Sequence, residues 1–118
     1  MALRASALED GQAADLNVAT GRAGGDGNVE NGAFLIALAE SVARWRWDEV
    51  AALRNEGRAR LGAQQTSDAI LVASGFNGIT RVADAIGIRL DQRTEDASED
   101  FRDSVGISAF APVEKWQV

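Results

Sequence analysis

A chain of 118 residues, 46% hydrophobic and 25% charged, has the composition of one soluble globular domain, and no apolar run approaches the ~20 residues of a membrane span. Twelve basic against eighteen acidic residues leave a formal charge of −6, which repels a phosphate backbone, so neither nucleic acid nor a membrane is an expected partner. Cysteine and histidine are both absent, which removes the disulfide, the thiol nucleophile, the imidazole base and any nitrogen or sulfur metal site. No metal or cofactor is therefore expected, and chemistry would have to use carboxylates, arginine, Lys115 or hydroxyls. The opening MALRASALED reaches acidic residues before a secretory apolar stretch can develop, which makes the cytoplasm the default compartment. Basic residues that are almost all arginine fit G+C-rich bacterial coding.

Residues 1–32 form a Gly/Asn-rich segment, densest in GRAGGDGNVENG, and are expected to be irregular apart from a short helix near Ala2 to Leu8. No strand precedes its glycines and no GKS or GKT follows, so a phosphate-cradling loop is not expected. Residues 33–118 are expected to form a single α-helical domain with a C-terminal tail, and the fold class is all-α. From Ala33, Phe34, Leu35, Leu38, Val42 and Trp45 recur at helical steps, and Glu40 and Arg44 pair at i,i+4. The stretch WRWDEVAALRNEGRARLGA predicts a second helix with Val50, Leu53 and Leu61 on one face, a candidate break at Gly57 and a stop at Gly62. Thr66 and Ser67 are candidate caps for a third helix, in which Ala69, Val72, Phe76, Ile79, Ala83 and Ile86 step by 3 and 4 and should face inward; Gly87 then supplies a left-handed stop. A fourth helix is expected to start at Thr94, turn Phe101 and Val105 inward and end at Gly106. Six acids between Asp91 and Asp103 face only two arginines there, giving a solvated acidic face or a docking surface for a basic partner.

Beside the apolar stripe of the third helix, Ser74, Asn77, Arg81 and Asp84 make a polar one. It either faces water, or bridges helices, or forms a binding site in which Arg81 presents its planar fork to a carboxylate, with Asn77 and Asp84 holding its rotamer. Gly75 and Gly78 call for a close neighbour, because mid-helix glycine costs roughly 1 kcal/mol against alanine. Trp45 and Trp47 flank Arg46; on one continuous helix the indoles would point about 200° apart and could not share a pocket unless the helix ended there, so packing is the favoured role.

The segment TSDAILVASGFNGITRVADAIGIRLD, Thr66 to Asp91, resembles the closing helix of carboxymuconolactone decarboxylase-like proteins, the AhpD-like, peroxidase-related group, through Phe76, Asn77, Arg81, Ala83, Asp84, Gly87 and Ile88. The resemblance extends less specifically back to Ala33. It implies a small all-helical subunit that assembles into a homo-oligomer, and an ancestry in peroxide reduction through a Cys-x-x-Cys pair with a nearby histidine. Laid on that pattern, the cysteine positions fall near Trp47 and Val50 and the histidine near Arg54, or else the chain matches only the half following the reactive segment, with residues 1–32 standing where that segment would end; in either registration thiol chemistry would require a Cys-bearing partner chain. The remaining enzymatic alternative is a non-redox reaction on a small carboxylate or lactone ligand held by Arg81, with Asp84 or Glu40 as proton carrier. A third alternative is a structural or partner-binding subunit. Trp45, Trp47, Trp116, Phe34, Phe101 and Phe110 exceed what so short a chain can bury, and the tail from Phe110 to Trp116 is expected to pack on a neighbouring subunit.

Overall fold

The structure, a computed structural model, describes residues 13–107. Four helices and no strand occur among them: α1, Gly32–Ala43; α2, Trp47–Arg60; α3, Ala63–Ala85; and α4, Gln92–Ser104. The all-α expectation holds. The short helix near Ala2 to Leu8 and the packing of the tail around Phe110 and Trp116 fall outside the described residues. The described residues divide into two compact units, one of residues 33–86 and the other of residues 13–32 with 87–107.

In the first unit α1 ends where its carbonyls are taken up by a two-bond stop: the Arg46 amide donates to the Ser41 carbonyl at 3.0 Å and the Trp45 amide to that of Val42 at 3.2 Å. This pattern places its penultimate donor in left-handed backbone, a position normally filled by glycine. Here it is Trp45, with φ of 59°. Helix α2 starts two residues later with Asp48 and Glu49 in its first turn and Arg58 and Arg60 in its last, both arranged to oppose the helix dipole. It runs unbroken through Gly57, against the break anticipated there, because that glycine is a packing position.

Gly57 is buried, and a Cβ placed on it would stand 2.8 Å from the Thr66 methyl and 3.0 Å from the Phe34 ring. At this crossing α2 meets α3 and α1 together. Thr66, 1% exposed, is therefore an interhelical contact and not the cap it resembled; Gly62 precedes the helix, and the Thr66 hydroxyl donates to the Gly62 carbonyl at 2.7 Å. Satisfying the hydroxyl locally lets the residue be buried without an unpaired polar atom. Phe34 and Leu38 of α1 complete the core, and the Arg60 guanidinium lies over the Phe34 ring, 5.3 Å from its centroid. Gly57→Ala should lower stability by about 1–2 kcal/mol in urea unfolding, since overpacking of about 1–3 kcal/mol outweighs the gain of roughly 1 kcal/mol in helix propensity. A stabilised variant would mean that α2 and α3 do not approach this closely.

The orientation of α3 departs from expectation. Its buried and half-buried positions are Thr66, Ala69, Ile70, Ala73, Asn77 and Ala83, so of the stripe predicted to face inward only the two alanines are sheltered. The larger stripe of Val72, Phe76, Ile79 and Ile86, predicted to face inward, is exposed at 59 to 68%, together with Leu71 and Val82. A close crossing at Gly57 admits small side chains, so the bulky ones are left on another side. Among the described residues nothing lies within 4 Å of a Cβ added at Gly75 or Gly78, so the close contact they suggested is not made there.

In the second unit, Asp91 and not Thr94 caps α4: its carboxylate accepts the Thr94 amide at 3.0 Å and the Thr94 hydroxyl at 2.7 Å. Val105 is buried and Phe101 half-buried, as the spacing predicts. At the other end Gly106, with φ of 72°, lies against Arg22, which donates to the Ser104 carbonyl at 3.4 Å and so places a cation on the negative end of α4.

Candidate functional site at the α1–α2 corner

The left-handed stop at Trp45 does more than end α1. By reversing the chain between two indoles that a continuous helix would hold apart, it brings the rings of Trp45 and Trp47 edge to face, with centroids 5.3 Å apart and planes at 70°. Both indoles line one recess of about 310 Å³ with Val42 of α1 and Ser74, Asn77 and Arg81 of α3. Gly78 also lines it, so the absence of a side chain there keeps space open. The polar stripe of α3 thus turns towards the tryptophans, while the apolar stripe faces solvent.

Arg81 is held within this recess by its own helix: Nε donates to Asn77 Oδ1 at 2.9 Å, an i,i+4 bond. The expected partnership of Asn77 and Arg81 is therefore present. The two carboxylates proposed to work with them are not in the recess. Asp84 lies in the exposed last turn of α3, and Glu40 lines a separate recess of about 320 Å³ with Ser41, Arg46 and Glu49. Glu40 pairs with Arg44 at 3.5 Å, as its spacing predicts.

That second recess is built around Glu49. Its Oε2 lies 3.2 Å from Arg46 Nη1 and 3.0 Å from the buried Ser41 hydroxyl, which also stands 2.8 Å from the Ala37 carbonyl and has one proton to share between them. The hydrogen bond from Arg46, then that from Ser41, hold the Glu49 carboxyl below its usual range. Thr94, through its hydroxyl and then its amide, does the same for Asp91. A carboxylate depressed by folding is protonated more readily in the unfolded chain. Its stabilising effect is complete above the unfolded value and is lost as pH falls through the folded one. Stability should accordingly decline below about pH 4, and the double variant Glu49→Gln, Asp91→Asn should be less stable at pH 7 with a shallower acid limb. An unchanged acid limb in thermal unfolding would show that neither bond matters. These are structural staples; neither carboxylate is raised towards neutrality as a general acid would need.

Among the described residues no group of three or more potential metal ligands occurs, and no helix is long and apolar enough to cross a membrane. The sequence signals for the recess were present in WRW and in the Asn77–Arg81 spacing; what joins them, the left-handed conformation of Trp45, has no such signal, because tryptophan rarely adopts it. Comparison of the chain with protein-family models, with curated proteins and with solved structures finds no match in any of the three.

Proposed function

We propose that this chain is a self-associating helical subunit of the carboxymuconolactone decarboxylase-like, AhpD-related kind, without thiol peroxidase activity of its own. The observation that carries the proposal is the exposed side of α3. Leu71, Val72, Phe76, Ile79, Val82 and Ile86 are 57 to 69% exposed. Six such side chains present on the order of 700 Å² of apolar surface, more than the patches of about 300–600 Å² usual on monomers and near the ~800 Å² that each partner buries in a standard interface. Val72, Gly75, Phe76 and Ile79, at i, i+3, i+4 and i+7, also enclose a shallow apolar hollow of about 310 Å³. Four residues at those offsets are what receives a side chain from a facing helix. The same stripe supplies suitable side chains, which favours a two-fold contact between copies. The family assignment rests on the residue pattern from Thr66 to Asp91, and the absence of thiol chemistry on the absence of cysteine.

Sedimentation velocity from about 1 to 100 μM, with a parallel assay of alkyl hydroperoxide reduction by a dithiol, tests the two parts. Dimers or larger closed assemblies without peroxide consumption are expected. A monomer at every concentration would overturn the first part, and metal-independent peroxide turnover the second.

A further inference from the structure

The recess at the α1–α2 corner is independent of that contact: Arg81 lies nine residues from Val72, half a turn round the axis of α3, so self-association leaves it open. We propose that it binds a planar conjugated carboxylate, of the one- or two-ring aromatic acid class, with the acid group on Arg81 and the ring against the indoles of Trp45 and Trp47.

Three observations on different elements converge on this ligand. The first is backbone strain. A bulky residue with φ of 59° occupies the glycine position of a helix stop, an arrangement that costs free energy and clusters at functional sites. Strain normally persists where packing compensates for it, yet Trp45 is 68% and Trp47 58% exposed. The edge-to-face contact leaves indole surface open to solvent, where a flat ring can stack or meet an edge. Second, Arg81 lines the recess with its Nε occupied by Asn77. With Nε engaged, the Nη1–Nη2 edge remains for two parallel bonds to a carboxylate. A cationic ligand, which the indoles alone would accept, is disfavoured by the guanidinium. Third, a recess of about 310 Å³ is at the small end of ligand sites. The Ser74 hydroxyl offers one further polar contact beside the ring, and Gly78 keeps the space between it and the indoles free.

Isothermal titration of the full chain with 2-naphthoate tests the proposal, with 2-naphthamide as the same ring without the charge and cyclohexanecarboxylate as the charge without the flat ring. Naphthoate should bind at least tenfold more tightly than either. Arg81→Ala should weaken it at least tenfold, and Arg81→Lys, which keeps the charge but not the fork, by less. Trp45→Gly separates binding from folding: it relieves the left-handed strain, so its melting temperature should equal or exceed that of the parent, while naphthoate affinity falls at least tenfold. Absence of naphthoate binding, equal binding of naphthamide, or unchanged affinity in folded Arg81→Ala or Trp45→Gly, as judged by circular dichroism, would each overturn the proposal.

Discussion

Replacing Phe76 and Ile79 together by aspartate should convert the assembly into a monomer throughout the micromolar range. Both residues are exposed, at 68% and 67%, near the middle of the α3 stripe, so in the proposed contact both leave water only on association. Full burial of a large apolar side chain contributes about 1.5–3 kcal/mol, and a two-fold contact counts each residue twice. Discounting generously for incomplete burial and for non-additivity, the loss should weaken association at least a thousandfold, about 4 kcal/mol. The introduced carboxylates add a desolvation cost of their own, since no arginine borders the hollow formed by Val72, Gly75, Phe76 and Ile79. Helix content of the variant should be unchanged, and Arg81→Ala, on the opposite side of α3, should associate as the parent does. If instead the double variant loses folding stability and its sedimentation matches that of the parent, the stripe is covered within its own chain and the proposed contact is wrong.

Leu38→Ala should be the most damaging single truncation for folding. Leu38 is 1% exposed and, with Thr66, one of the two largest fully buried side chains among the described residues, and Phe34 at 7% completes the apolar centre of the first unit. Removing three carbons from such a site costs about 2–5 kcal/mol, the upper end applying where neighbours cannot collapse into the space. Here collapse is restricted. Phe34 is clamped between Gly57 and Arg60, and Gly57 has no side chain to move inward. A loss towards 4 kcal/mol is therefore expected in urea unfolding, measured at one fixed protein concentration because the proposed association would stabilise the folded state by mass action. That is a large part of the total stability of a small domain; the fixed concentration matters only through the proposed association. A loss below about 1 kcal/mol would show that the α1–α2–α3 crossing is not the centre of this unit.

The sequence by itself determined the elements. Helical spacing located all four described helices to within a few residues, and Gly62, Gly87 and Gly106 marked their ends, because left-handed backbone after a helix has a strong residue preference. It also determined what chemistry the chain can perform unaided, since the absence of cysteine and histidine is independent of folding. It brought Asn77 and Arg81 together, as contacts four residues apart on a helix are local. Which side of α3 faces its neighbours was decided only in three dimensions. Periodicity identifies an apolar stripe but not what covers it, and the close approach at Gly57 gave the inner face to Thr66, Ala73 and Asn77, leaving Phe76 and Ile79 outside. The same holds for Glu40, a candidate proton carrier for a carboxylate held by Arg81, which the fold assigns to a different recess. The meeting of Trp45, Trp47 and Arg81 likewise depends on one left-handed tryptophan and on a helix that returns to it some thirty residues later, a non-local contact that no local pattern encodes.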